Sequence, residues 1–397
     1  MIPRLRPAIG MADIAAAFRA GSSVEDFERA FAATFGQSHA IAFPYGRTAQ
    51  MLLMQALDLE GREIILPAYT CVVVAHAIVL AGCTPVFVDS EADGFNMDLD
   101  KAEAAISSNT GAIIATSIHG YPVDLDRLDA IAARHPHVAV IQDCAHSFAA
   151  EWKGRPVQKN GRAAIFGLNI SKLMTSIFGG MITTDDADLA ARLRSLRDRR
   201  LAAGGRGLSR ALYLLAAGTA LAPPVFTLVK RISDLGLIDR FVRYYDETLI
   251  DMPGDHLVQI GRAEASVGVR QCAAYRGIIE HRRRIAAFYD RALADVLPDA
   301  RPPLVDGATY SHYVLRVPDP DGLVKAAARS GIELGRLIDY CVPDMKAYRD
   351  MASTQGPFAE TRRLNASVVN LPLWVDETQA RRVVEVIGGV SRQKADF

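Results

Sequence analysis

Lysine is scarce in this chain. Only eight of the 45 basic residues among its 397 are lysine, at positions 101, 153, 159, 172, 230, 325, 346 and 394. The rest are arginine, so a lysine in an unusual setting stands out. A surplus of either charge sign is also missing, with 45 basic against 45 acidic residues. Nucleic acid is thereby excluded as the main partner, because a phosphate backbone calls for a basic excess. Cysteines number five, at 71, 83, 144, 272 and 341, with no CxxC pair. A disulfide framework and a structural zinc site are both excluded, and no metal site is expected. The opening stretch MIPRLRPAIGMADIAAAF lacks the uninterrupted apolar run of a secretory signal, so a reducing cytoplasm is the expected location.

Half the residues are hydrophobic and 23% are charged, the balance of a folded protein with sizeable cores. At roughly 100–200 residues per domain, the length predicts two domains. Short apolar runs at 63–67, 84–89, 112–117, 138–143, 163–169 and 180–184 read as strands. Helical patterns separate the earlier ones, for example 72–82 and 124–135, after helices at 23–35 (Ser23 as N-cap) and 48–59. Continuous apolar strands alternating with helices predict an α/β fold, a mostly parallel sheet between helices. A long amphipathic stretch from about 262 to 293 leads into a smaller α+β pattern. The expected division is a large domain at 1–260 and a small C-terminal domain at 261–397.

The segment 211–229 contains no charged residue. Nineteen helical residues would span roughly 28 Å, near the thickness of a bilayer core. Pro223-Pro224 interrupts the run. A buried hairpin or an oligomer contact is the favoured reading, and a monotopic membrane contact is the second.

Three features suggest chemistry. Lys172 follows a strand in apolar surroundings, where an ammonium is disfavoured and a neutral amine suits Schiff-base chemistry. Asp143 ends the strand VAVIQD, on the edge of an open α/β sheet where ligands bind. It could be a metal ligand, an acid/base group, the partner of a protonated ring nitrogen, or an N-cap. His146 either lies over the same ring or fills a polar gap. Gly46-Arg47-Thr48-Ala49 opens a helix whose free N–H groups would seat a phosphate. A ligand with a phosphate, a ring nitrogen and an aldehyde meets all three, which describes pyridoxal 5′-phosphate (PLP).

The order GRTA, EIILPAYTCVVVAHAIVLAGCTPVFVD, HGYPVDLD, VIQDCAHSFAA, SK and FGGMITTDD resembles the sugar aminotransferases of the DegT/StrS type. HRRRIAAFYDRAL, SHYVLRV and VVNLPLW continue the resemblance. About 205–260 has no counterpart, so the apolar segment reads as an insertion at 205–258. The resemblance implies a fold-type I, aspartate-aminotransferase-like fold and a homodimer with its active sites between the subunits. It implies Lys172 as the covalent anchor of PLP and Asp143 as the carboxylate on its ring nitrogen. His146 packs near the cofactor, and Tyr69 or Cys71 occupies the place of the aromatic over the ring. Gly46, Thr48 and Ala49 form the phosphate turn. Three departures accompany it: Gly167 stands where the family has a phosphate-binding serine, Leu257 where a partner-subunit asparagine is expected, and Arg47 interrupts Gly-Thr-Ala. Asn169, Ser171 and Arg47 are the candidate replacements.

The implied reaction moves an amino group from glutamate to a nucleotide-linked keto-sugar. The related dehydratases carry histidine in place of the lysine, which argues against that chemistry here. Two alternatives stand beside it, a lipid-linked or non-sugar substrate at the membrane and a non-catalytic PLP-fold binding protein.

Overall fold

A computed structural model of the chain describes residues 1–234, 248–302, 305–351 and 356–395. Its first half runs α1 (Met11–Arg19), α2 (Val24–Phe35), β1 (His39–Phe43), α3 (Gly46–Ala56), β2 (Glu63–Pro67), α4 (Val72–Leu80), β3 (Thr84–Val88), α5 (Leu99–Ala104) and β4 (Thr110–Thr116). Next come α6 (Leu125–Arg134), β5 (Ala139–Asp143), the hairpin β6 (Glu151–Trp152) and β7 (Arg155–Pro156), β8 (Ala163–Gly167) and β9 (Gly180–Thr184). The helices α7 (Ala187–Arg200), α8 (Gly207–Ala220), α9 (Pro223–Asp234) and α10 (Arg262–Ala292) follow. The C-terminal part holds β10 (Tyr313–Arg316), α11 (Pro320–Arg329), α12 (Ala359–Ser367), β11 (Val368–Leu371) and α13 (Glu377–Ala395).

The main sheet has seven strands in the order β1-β9-β8-β5-β4-β2-β3. β8, β5, β4, β2 and β3 are mutually parallel, and β9 runs antiparallel to both of its neighbours. Both faces are covered, as the continuous apolar strands require. Ile65, Ile113, Ala115 and Val140 face the core under α2, α6 and α10, while Ile64, Leu66, Ile114 and Ile141 face the core under α3, α4 and α7. α2 starts at the expected Ser23, whose Oγ accepts the Asp26 N–H at 3.1 Å while Asp26 accepts the Ser23 N–H at 2.8 Å. Its Phe31 and Phe35 pack with Phe148, Phe166 and Tyr275.

Parallel neighbours put the C-terminal ends of β8, β5, β4 and β2 side by side, strands about 4.8 Å apart. That edge is where an open α/β sheet binds ligands. The order of the strands, which the sequence does not reveal, therefore decides which loops meet.

The small two-stranded sheet β10–β11 packs with α11, α13 and the second half of α10. Ile2 joins this C-terminal core: its N–H donates to Gly331 O and its carbonyl accepts from Glu333 N–H. Asp89 ties the two parts together. Its carboxylate, at the end of β3, accepts the Thr361 N–H at 2.8 Å and the Glu360 N–H at 3.2 Å, capping α12.

The apolar segment forms α8 and α9, with Pro223 opening the second helix. It is only half buried. Ala211, Leu214 and Phe226 turn inward, while Leu212, Leu215 and Leu228 are exposed. Among the described residues no helix is long and apolar enough to cross a membrane.

Candidate active site

Four parallel strand ends and the start of α3 build the site. β5 ends at Asp143, whose side chain is buried. Its Oδ1 accepts the Ala145 N–H at 3.0 Å and its Oδ2 accepts the Thr116 hydroxyl at 3.3 Å from the end of β4. Burial pushes the carboxyl upward, against those donors and the charge of Lys172. A buried carboxylate with two neutral donors can take a further N–H that carries positive charge.

β8 ends at Gly167, two residues earlier than the sequence suggests, and a tight loop leads to β9. Asn169 folds its first turn: its Oδ1 accepts the Ser171 N–H at 3.0 Å and the Ser171 hydroxyl at 2.6 Å, and its carbonyl accepts the Lys172 N–H at 3.1 Å. Thr175 closes the second turn, its hydroxyl donating to Leu168 O at 3.1 Å and accepting the Ile177 N–H at 2.9 Å. Ile177 is held at φ +74, uncommon for a β-branched residue. Lys172 is partly exposed, rather than sealed in the apolar run around it in the sequence. Its charge acts on Asp143, His146 and His312, which gathers these groups into one site.

Glycines let the turn that opens α3 close on these strands. A Cβ on Gly180 would lie 2.5 Å from Gly46 N, and one on Gly46 would lie 3.3 Å from Gly167 Cα. The first turn of α3 thus packs backbone to backbone on β8 and β9. Tyr45, the N-cap, offers no side-chain cap, and its hydroxyl instead donates to Asp255 at 2.7 Å. The opening N–H groups of α3 suit an anion. Ala49 is wholly buried and its N–H donates to Tyr45 O at 2.9 Å. Thr48 spends its hydroxyl on His256 O at 3.0 Å. Arg47 is buried, and its charge acts on His76 of α4.

The histidines form a larger group than the sequence suggests. His146 Nδ1 accepts the His119 N–H at 3.4 Å, and the two rings lie nearly parallel, 6.2 Å apart. His312 approaches both, at 5.7 Å from His146 and 5.9 Å from His119. Burial holds His119 neutral, pushed down to about 3, and drives His146 and His312 well below the usual range. Tyr69, beyond the end of β2, is fully buried with its hydroxyl 3.3 Å from His119 Nε2. Cys71, half-buried, opens α4, whose first N–H donates to the Tyr340 hydroxyl at 3.1 Å.

His119 and His312 are absent from the sequence reading. HGYP lies beyond β4 as Asp143 lies at the end of β5, so the strand-end rule could have found His119. Nothing in the sequence brings His312 across. It arrives because Gly120, at φ +91, lets the loops touch: a Cβ there would stand 2.7 Å from Tyr310 N. Buried Arg282 of α10 holds the same loop, donating to Tyr310 O at 3.2 Å and Ser311 O at 3.0 Å. Among the described residues no cluster of three or more His, Cys, Asp or Glu is arranged to hold a metal ion.

The model of the DegT/DnrJ/EryC1/StrS aminotransferase family matches residues 10–211 and 230–390. GDP-perosamine synthase of Caulobacter vibrioides is 39% identical over 178 residues, 45% of this chain and 48% of that protein. The match thus spans about half of that relative. A putative sugar aminotransferase of Streptococcus pneumoniae, solved in its PLP form, superposes with a TM-score of 0.78 over 99% of both chains at 20% identity. DesV of S. venezuelae, solved with a ketimine intermediate, gives 0.76 over 96% of this chain and 93% of that one at 23% identity. At these identities the two structures speak to the fold alone, which is that of the sequence expectation.

Proposed function

Because the chain belongs to the DegT/DnrJ/EryC1/StrS aminotransferase family, we propose that it is a PLP-dependent aminotransferase acting on a nucleotide-linked keto-sugar, with glutamate as amino donor. The observation that carries this reading is that Asp143, at the end of β5, and Lys172, in the loop after the adjacent β8 with its stem over Gly167, share one site, where the lysine's charge acts on the carboxylate. The site residues fit the cofactor. Asp143 has the buried carboxylate for a protonated ring nitrogen, Lys172 has an amine within the same site, and the uncapped start of α3 has N–H groups for the phosphate.

Bound PLP supplies a ring that draws off electrons from the carbon losing its proton. Asp143 holds the proton on the ring nitrogen that makes this withdrawal effective. Lys172 would anchor the cofactor through its amine and, when that amine is free, would take up and return at Nζ the proton that moves during amino transfer. His146, kept neutral by burial, would border the cofactor without adding charge. Gly46, Arg47, Thr48 and Ala49 seat the phosphate, with Asn169 and Ser171 shaping the lysine loop beside it. Tyr69 or Cys71 would supply the side chain over the ring's face. The names of relatives support the substrate class: one is a GDP-perosamine synthase, and DesI, at 24% identity, was solved with its TDP-sugar product. The family resemblance further supports a homodimer that completes each site from two subunits.

The purified chain should show the visible band of lysine-bound cofactor, and borohydride should fix the cofactor on Lys172. Covalent binding and transamination by Lys172→Ala would refute the assignment. Failure of the native chain to bind PLP at micromolar concentration would favour the non-catalytic reading instead. A lipid-linked substrate is the second reading, favoured by the exposed apolar face of α8.

A further inference from the structure

The apolar hairpin has a face that neither the sheet nor the small domain covers. α8 buries Ala211 and Leu214 against Ala17, Ile177 and Val267, and a Cβ on Gly218 would stand 3.3 Å from Ile9. The opposite stripe, Leu208, Leu212 and Leu215, recurs at the i, i+4, i+7 spacing of one helix face and is exposed. A helix apolar on both faces needs a second apolar neighbour. The patch extends beyond α8. Of eleven large hydrophobic side chains exposed among the described residues, seven lie on α1, α8 and α9, including Met11 at 77%, Leu208 at 68% and Leu228 at 60%. The three helices belong to one surface: Ile14 of α1 packs beside Gly218 of α8, and the Met1 amino group donates to Thr227 of α9 at 3.0 Å.

Charge is distributed unevenly around this surface. Residues 1–24 and 206–234, which build it, contain seven lysines and arginines and two acids, Asp13 and Asp234. The remainder of the chain must carry the compensating excess of acids, since the total is zero. Asp13 is buried and faces Arg270 and Gln271. Asp255 and Glu264, from outside the two segments, neutralise Arg206 and Arg210. Arg6 and Arg19 stay exposed.

Two occupants could cover the patch, a second copy of this chain or a lipid surface. A symmetric contact between copies sets each patch against itself, and here that would bring cationic rims together. The family model also leaves 212–229 unmatched, so an interface shared across the family cannot depend on this segment. Exposed leucines surrounded by arginine match the apolar boundary and negative charge of an anionic bilayer. We propose that α8 and α9, with α1 beside them, dock this protein on anionic lipid as a monotopic contact.

The contact lies directly behind the active-site loop. Phe178, six residues after Lys172, packs at a tilt against Tyr213 of α8, ring centroids 4.8 Å apart, and lies under Arg210 at 4.3 Å. Docking therefore holds the catalytic loop near the membrane surface. The proposal does not rest on the aminotransferase reading, and either can fail alone.

The test is flotation of the PLP-loaded full chain with vesicles of phosphatidylcholine alone or mixed with phosphatidylglycerol. The chain should rise with the anionic vesicles and less so as salt increases. Leu212→Asp with Leu215→Asp should abolish flotation at unchanged sedimentation coefficient. Arg6→Glu with Arg19→Glu, two exposed sites of the patch, should weaken it by about tenfold or more, at about fivefold per basic residue near an anionic surface. The proposal is overturned by a wild-type chain that stays down with anionic vesicles or floats equally with neutral ones. It is also overturned if the leucine variant reduces the oligomer, because a second copy then covers the face.

Discussion

The stem of Lys172 lies over Gly167: a Cβ at position 167 would stand 3.3 Å from the lysine Cε. The missing side chain leaves room for the lysine, at a place where the family resemblance leads one to expect serine. Gly167→Ala should fold and keep activity within a few-fold, because the neighbour is the flexible end of a side chain. Gly167→Val, branched at the same point, should displace the amine and lower kcat by about 10²-fold, the scale of a misplacement of about 1 Å. Steady-state kinetics with the borohydride-trapped fraction measures both.

Asp143 should separate stability from catalysis. Its carboxyl is pushed upward by burial, so Asp143→Asn removes a disfavoured charge and should leave the melting temperature equal or higher. The transamination rate should fall by about 10²-fold or more, the scale of losing one fixed electrostatic group. A parallel loss of both would mean the residue is structural.

The buried histidines set an acid limit. His119, pushed down to about 3, is neutral when folded and protonates near 6.5 when unfolded. Between those values the unfolded chain binds the extra proton, so stability is full above about pH 6.5 and falls as pH drops toward 3. His146 and His312 shift in the same direction. Each histidine adds a slope of up to about 1.4 kcal/mol per pH unit. Urea denaturation from pH 7.5 to 5 should show it, and His119→Gln should flatten it.

Arg282 should matter through the loop that carries His312. Arg282→Met leaves the Tyr310 and Ser311 carbonyls without their donor and should cost about 2–4 kcal/mol. If the loop positions His312, KM for the sugar should rise more than kcat falls. A loss of stability with unchanged KM would restrict Arg282 to a structural role.

Local pattern made much of this protein legible. The helix at 262–293, the cap at Ser23 and the strands at 63–67 and 180–184 follow from periodicity and end signals, which depend on neighbours in sequence. β1 is not legible in this way, because HAIAF, with two alanines and a single β-branched residue, lacks the strand-forming run of EIILP. Lys172 and Asp143 could be singled out because one breaks an apolar run and the other ends a strand. His312, Arg282 and Tyr340 could not, since their significance arises from contacts between distant segments.

The sequence by itself determined the alternation of strands and helices, the chemical candidates Lys172 and Asp143, and the charge-free stretch at 211–229. These depend on side-chain type and local spacing alone. Only the tertiary structure decided that β4, β5 and β8 lie adjacent, so that His119, Asp143 and Lys172 share one edge. It also decided that Leu212 and Leu215 face outward while Ala211 and Leu214 face in. Strand order and helix facing are set by which surfaces bury together, and that competition is settled across the whole chain.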